Sequence, residues 1–387
     1  MNQSEFLNAR DAAARLGVKL DTLYAYVSRG LLRSVMVPGS RERQYRRDDI
    51  EGFAAARRSG RAPADPNAAA AMPAIESAIS LIENGRLYYR GQDAVRLSDS
   101  ATLEEVATLL WGAELEPETL PTPMRQSSSP AGNAGDLIAR CQVRLAAAAA
   151  DSPPVAGLDR PALAAAGQSI LREMVACLSG NTPTTRPAHA ALARHWRLTE
   201  TGAGLVRRCL VLIADHELNT STLVARCVAS TGAPLPAVVS AALGALSGPR
   251  HGGAASRVEA MLRAEQANGD PFMQVASRLA RGEALPGIGQ PLYPGGDPRA
   301  VAILYALSLT APQARRLVGH RPNVDFALAA VSIALDLPAG AALGLFLIGR
   351  TVGWIAHAIE QVDSGVLIRP RARYIGPRPA ELDRSAC

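Results

Sequence analysis

From Ile75 onwards the chain runs as Ala- and Leu-rich segments parted by short Gly/Pro breaks, and this punctuation is what most restricts its fold. Residues 103–111, 202–214, 222–230, 237–246 and 343–359 carry apolar side chains at helical spacing, with chain-breaking residues near their ends. Aromatic residues make up only 4% of the chain, which disfavours a large sheet built on aromatic and β-branched faces. A mainly α protein is expected, and 387 residues suffice for two or three domains with a sizeable core. The Pro-, Ser- and Gly-rich stretch 116–135 reads as a surface loop.

The first 61 residues are different. They hold twelve Arg/Lys and seven Asp/Glu, a net of +5 out of the chain's +6, although Lys19 is the single lysine and the general bias towards arginine weakens any inference from one basic residue. Ala9–Leu16 reads as a short helix with Ala12, Ala13 and Leu16 on its apolar face, and Gly17 stands where a helix end takes a positive φ. A second helix over 21–29 ends at Gly30, Pro38-Gly39-Ser40 reads as the turn of a β wing, and Asp48 or Asp49 caps a third helix. Beyond that helix, Gly60, Pro63, Pro66 and Pro73 interrupt any helical pattern. The expected division is a head at 1–58, a linker at 59–74, a main body at 75–377 and a tail at 378–387.

Cys141, Cys177, Cys209, Cys227 and Cys387 form no CxxC pair, and Met1 leads into a polar, Ala-rich segment instead of a signal sequence, so a cytoplasmic protein is expected. The most apolar stretch, 326–359, is broken by Asp336, Pro338 and Arg350, leaving no run of the roughly 18 residues a membrane span needs. Neither a membrane partner nor a metal site is expected.

Three distant segments carry chemistry-bearing residues: Ala214-Asp215-His216-Glu217-Leu218-Asn219, Ser247-Gly248-Pro249-Arg250-His251-Gly252-Gly253 and Arg321-Pro322-Asn323-Val324-Asp325-Phe326. Singly, each has a plain structural reading: His216 at a helix start, His251 as a hydrogen-bonded interior histidine, Asp325 as a helix cap. In order and spacing they resemble the citrate synthase family. So do Ser77-Ala78-Ile79-Ser80, Tyr89-Arg90-Gly91, Leu109-Leu110-Trp111-Gly112, the run 348–357 and Arg369-Pro370-Arg371-Ala372-Arg373-Tyr374. The resemblance covers about residues 75–377 and implies a large plus a small helical domain.

It also implies condensation of an acyl-CoA, usually acetyl-CoA, with a 2-oxo acid, usually oxaloacetate, with the coenzyme A thioester as substrate and no resident cofactor. A thioester α-proton is weakly acidic, so a base at Asp325 needs a donor at His251 for the developing enol oxygen. The resemblance assigns Arg299, Arg350 and Arg369 to the acceptor's carboxylates and His216 as a further contact. It places the acyl-CoA near Leu285, Gly287, Gly289 and Arg371, and brings Arg369 across a homodimer interface. The front residues 7–32 and 46–53 resemble the MerR/excisionase class of winged helix-turn-helix. That implies Thr22, Tyr24, Tyr26 and Ser28 facing DNA, and Arg29, Arg41, Arg43, Arg46 and Arg47 on phosphates. The other reading of the head is a small helical module kept for assembly.

One family position departs. Where the family has a histidine that polarises the acceptor's keto group, this chain has Gly287-Ile288-Gly289-Gln290, in a register pinned by Asp297-Pro298-Arg299. An amide still donates a neutral hydrogen bond, and loss of one preorganised donor costs about 10²–10³ in rate. His320 is a remoter substitute. The connection from Arg299 to Asn323 is also shorter than the family's, and a His-Pro-Met element is missing. The expectation is therefore a synthase-type acyltransferase of altered efficiency; the alternative is a DNA-binding regulator that senses acyl-CoA or a carboxylate without turnover.

Overall fold

The computed structural model of this chain describes residues 6–28, 32, 34–36, 43–47, 49–51, 53, 75–115, 137–180 and 182–370. These fall into two compact units, one before residue 77 and one from Ser77 onwards.

In the first unit, β1 (Phe6–Asn8) pairs antiparallel with β3 (Arg43–Arg46), with Leu7 opposite Tyr45, and β2 (Val35–Met36) pairs with the other edge of β3. Asn8 ends β1 and caps α1 (Ala9–Leu16), its side chain accepting from Asp11 N at 2.9 Å. Gly17, at φ 62, closes α1 and α2 (Leu20–Ser28) comes next. Leu7, Ala12, Ala13, Leu16, Leu23, Leu32, Tyr45, Ile50 and Phe53 make the core. The expected helix-turn-helix and wing strand are present, with β1 added in front. The wing turn at 38–40, the linker 59–74 and the loop 116–135 lie outside the described residues.

The second unit opens on a small sheet, β4 (Ser80–Glu83), β5 (Arg86–Tyr89) and β6 (Gln92–Asp93), in that order and antiparallel. Asn84 and Gly85 join β4 to β5 with φ of 52 and 74, the two left-handed residues that a tight hairpin requires. The helices after it are α3 (Ala94–Ser100), α4 (Leu103–Trp111), α5 (Leu137–Asp151), α6 (Arg160–Ser179), α7 (Ala188–His195), α8 (Glu200–Ile213), α9 (Thr220–Ala229) and α10 (Leu235–Leu246). Then come α11 (Gly253–Gln266), α12 (Pro271–Ala280), α13 (Pro298–Leu307), α14 (Val324–Ala334) and α15 (Ala341–Ser364). A 3₁₀ run, Pro312–His320, connects α13 to α14. Helix starts are chemically marked: Thr102 and Glu105 form a reciprocal capping box on α4, while Asp159, Thr199, Asn219, Asp297 and Asn323 cap α6, α8, α9, α13 and α14.

The helices of this unit, with β4 and β5, share one hydrophobic core, and α15 runs through it. At 24 residues α15 has the length and apolar composition of a membrane span, longer than the interrupted sequence implied, yet 94% of its most apolar window is buried against other helices. Arg350 sits inside it without breaking it. α15 is the central strut on which a cluster of polar side chains is mounted.

Candidate active site

One stripe of α15 supplies a wall. Phe346, Arg350, Trp354 and His357 recur at helical spacing, so they rise along one face. Arg350 stacks over Phe346 at 5.0 Å and gives its Nε–H to the Ile213 carbonyl at 2.9 Å, where α8 ends. Its two terminal nitrogens make no hydrogen bond with the described residues, although the side chain is only 2% exposed. An arginine buried with a free fork is built to receive an oxyanion.

The end of α8 delivers the next groups. Asp215 and His216 are buried, and the chain then turns through Glu217 at a left-handed φ of 51. His216 Nε2 lies 2.9 Å from the hydroxyl of Tyr293. Burial, reinforced by Arg299 and Arg350, holds the His216 imidazole well below its ordinary pKa, so it is neutral near pH 7. Beneath it, Asp215 Oδ2 accepts from Ser80 Oγ at 2.5 Å and faces His357 Nε2 at 3.3 Å. His357 Nδ1 meets Arg226 Nη1, which can only donate, so the ring proton sits on Nε2 towards Asp215. Burial alone would raise the Asp215 carboxyl; His357, Arg350 and Ser80 outweigh it and keep the group ionised.

His251 enters from the turn between α10 and α11. Its Nε2 lies 2.9 Å from Ser221 Oγ, and its ring meets Phe346 edge-on at 6.2 Å. Ser221 Oγ also accepts from Trp354 Nε1 at 3.1 Å and donates to Asn219 Oδ1 at 2.7 Å. When that hydroxyl turns to His251 instead, Nε2 accepts and Nδ1 carries the ring proton, free to be donated. Burial, with Arg350 adding to it, lowers His251 to about 4, so it donates as a neutral imidazole.

Asp325 is the second residue of α14, where the helix dipole favours a carboxylate. Among the described residues its carboxylate has no hydrogen-bond partner, and it is half-buried. Burial pushes its pKa up to about 6; Arg299, Arg350 and Arg257 pull down and Asp297 adds to the rise. An unpartnered carboxylate near 6 is tuned to take a proton at neutral pH.

Arg299 is held differently from Arg350. Asp297 grips it with two contacts, Nε to Oδ1 at 3.0 Å and Nη2 to Oδ2 at 2.8 Å, in a pair that is 2% and 0% exposed. Burial alone would lower this guanidinium, but Asp297 keeps it firmly charged. The two contacts use Nε–H and one Nη2–H, so both Nη1 hydrogens and the second Nη2–H, the end-on face of the guanidinium, have no partner among the described residues. Asp297 Oδ2 also accepts from Val324 N at 3.2 Å, tying α13 to the start of α14 and so to Asp325.

The Gly287–Gly289 segment runs against 321–323. Gly289 N donates to Arg321 O, and Asn323 N to Gly287 O, both at 2.8 Å. A side chain at Gly287 would meet Val258 at 2.7 Å and Phe326 at 3.0 Å, so this backbone lies against α14. Leu285 is half-buried against the core. Gln290 turns the chain, its carbonyl accepting from Tyr293 N at 2.9 Å, and its side-chain amide has no partner among the described residues. His320 ends the 3₁₀ run without a hydrogen bond to the cluster. Arg369 is exposed and makes no hydrogen bond or ion pair with the cluster, and Arg371 lies outside the described residues.

In the front unit Tyr24 is 47% exposed on α2 and Thr22 is half-buried. Tyr26 instead packs on Phe53, ring centroids 5.0 Å apart, and belongs to the small core. Arg46 and Arg47 are half-buried, while Arg43 lies on β3. Arg29 and Arg41 lie outside the described residues, as does the side chain of Ser28.

Sequence reasoning thus named His216, His251, Asp325, Arg299 and Arg350, which the fold gathers around α15. It passed over their supports: Tyr293, Ser221, Asp297 and the Ser80–Asp215–His357–Arg226 chain. Ser80, Asp215, Asp297 and His357 stood within the quoted segments, but no local signal gave them a role.

A family model for the C-terminal domain of citrate synthase matches residues 68–371, and a helix-turn-helix model matches residues 6–58. Putative citrate synthase 2 of Mycobacterium tuberculosis is 41% identical over 187 residues, which is 44% of this chain and 50% of that protein. The chain therefore matches about half the length of that relative. The citrate synthase of Mycolicibacterium smegmatis is 29% identical over 343 residues, covering 76% of this chain and 90% of that one. Among solved structures, the citrate synthase of Thermoplasma acidophilum in complex with carboxymethyl coenzyme A and oxaloacetate superposes with a TM-score of 0.61. It is 23% identical and covers 82% of this chain and 97% of its own.

Proposed function

The chain belongs to the citrate synthase family, and on that premise we propose that its main unit condenses a short acyl-CoA with a 2-oxo acid such as oxaloacetate. The observation that carries this reading is Asp325, a carboxylate without a partner among the described residues, raised to about 6 and within electrostatic range of Arg299 and Arg350. Asp325 removes the α-proton of the thioester, and the electron pair moves onto the thioester oxygen, which His251 stabilises with a hydrogen bond. The enol carbon then attacks the keto carbon of the acceptor and forms the C–C bond. The alkoxide takes up a proton, and water cleaves the thioester to release the coenzyme A thiol.

Arg350 binds an acceptor carboxylate with its free fork, and Arg299 and His216 add further contacts. Gln290 donates to the keto oxygen in place of an imidazole. Arg369, exposed in its own chain, reaches the partner's acceptor in a homodimer. Purified protein given acetyl- or propionyl-CoA and a panel of 2-oxo acids is expected to release free thiol. If no pair releases thiol while the same ligands raise the melting temperature, ligand sensing replaces catalysis as the reading.

Gln290→His is expected to raise kcat by about ten- to a hundredfold, with a smaller change in KM, because a better-placed donor acts mainly on the charge that develops in the transition state. An unchanged or lower kcat would take Gln290 out of this role.

On the same reading the head binds duplex DNA through α2, with exposed Tyr24 towards the groove and the basic β3 beside the backbone. Affinity for an enriched genomic fragment is expected to fall steeply between about 50 and 200 mM salt, as released counterions demand. A flat response would leave the head with an assembly role.

A further inference from the structure

A cavity of about 600 Å³ lies among α6, α7 and the segment 182–186, and none of His216, His251, Asp325, Arg299 or Arg350 lines it. Leu171, Val175 and Ala191 give it an aliphatic floor. Its walls carry Arg172, Arg186, Arg194 and Arg197. In a chain this rich in arginine, guanidiniums on a surface mean little by themselves. Three further features distinguish these.

The guanidiniums of Arg186, Arg194 and Arg197 make no ion pair or hydrogen bond with the described residues, and all three line this one cavity. Glu104 is the one acidic residue in the lining. Its Oε1 accepts from Ala188 N at 2.8 Å, while its Oε2 is buried without a partner. Burial pushes this carboxyl above the ordinary range, against the opposing pull of the Ala188 contact and Arg172.

Arg197, finally, sits at a left-handed φ of 55, at the point where α7 ends in a paired motif: Leu198 N donates to Ala193 O at 2.9 Å and Arg197 N to Arg194 O at 3.3 Å. Glycine is the usual residue at that position, so the arginine there sits on a strained backbone beside the cavity.

We propose that this cavity binds a small organic polyanion, a metabolite bearing two or more phosphate or carboxylate groups, at a site separate from the catalytic cluster. Convergent guanidinium forks take either oxyanion in two-point fashion, and the aliphatic floor accepts the carbon skeleton between the charged groups.

Isothermal titration of the whole protein at low ionic strength tests this, with tripolyphosphate and citrate as separate probes, citrate being titrated into Arg350→Gln so that the proposed catalytic site does not take it up. At least one probe is expected to bind one per chain, and the stronger of the two identifies phosphate or carboxylate as the preferred group. In the double variant Arg194→Gln/Arg197→Gly that binding is expected to weaken at least tenfold. The unliganded melting temperature should hold or rise, since glycine relaxes the backbone at position 197. Arg350→Gln, which disables the proposed catalytic site, should leave this binding intact and thereby separates the two sites. The proposal is overturned if neither probe binds below about 10 mM, a weak-binding limit. It is equally overturned if the double variant binds like the parent, or if Arg350→Gln abolishes the binding.

Discussion

Asp325→Asn is expected to cut thiol release by about 10³-fold or more while making the folded protein more stable above pH 6. The two effects have one origin. Burial raises the Asp325 pKa from 3.8 to about 6, so the fold favours the protonated carboxyl and is penalised when the group ionises. The stability that this group contributes is fully present below about pH 4 and is lost as pH rises through 6. At pH 8 the penalty approaches about 3 kcal/mol, less whatever solvent recovers at this half-buried side chain. Asparagine carries no charge at any pH and escapes it. The variant's melting temperature should therefore exceed the parent's by several degrees at pH 8 and by little at pH 4. In the parent, kcat/KM should climb through about pH 6 and then level off, because only the ionised form can take the α-proton. A variant that keeps activity within tenfold of the parent would remove Asp325 from the base's role, and one less stable at both pH values would contradict its environment.

Replacing Asp297 by Ala should be the most damaging single change outside the reacting groups. It leaves Arg299 charged at 2% exposure with no counter-ion, a loss of about 3–5 kcal/mol, and removes the α13 cap, worth about 1 kcal/mol more. Denaturant titration followed by circular dichroism is the measurement. Adding Arg299→Met should recover a substantial part of the stability but no activity, because the pair's cost comes from a stranded charge and not from lost packing. Because Asp297 Oδ2 also holds Val324 N, the Ala variant should lose turnover even under conditions where it stays folded. A destabilisation below about 1 kcal/mol would mean that Arg299 finds another partner.

Much of the scaffold was legible because its signals are local. Thr102 with Glu105, or Asn323 before an apolar run, marks a helix start whatever the rest of the chain does. The expected helix at 103–111 coincides with α4, and the others differ from the observed elements by a few residues at their ends. The β4–β5 hairpin carried an equally local signal in Asn84-Gly85, but flanking strands of four residues are too short for their alternation to stand out. Arg350 and Asp336 made 326–359 look interrupted. Asp336 does fall between two helices, whereas Arg350 is absorbed into α15, where its Nε–H reaches Ile213 O and its guanidinium stacks on Phe346.

The site divides along the same line. Residue types and their order along the chain singled out His216, His251, Asp325, Arg299 and Arg350 as one set, and helical spacing marked the helix that bears Arg350; α13 and α14, which bear Arg299 and Asp325, were not among the expected helices. Only the tertiary structure decided what each can do. It leaves the Arg350 fork without a partner among the described residues, turns Tyr26 into a small core and leaves Tyr24 exposed, and seats His216 on Tyr293 above Asp215 and His357. The reason is physical: helix formation depends on neighbours three and four residues away, but pairing and desolvation depend on groups brought together from more than a hundred positions apart, such as Asp215 and His357.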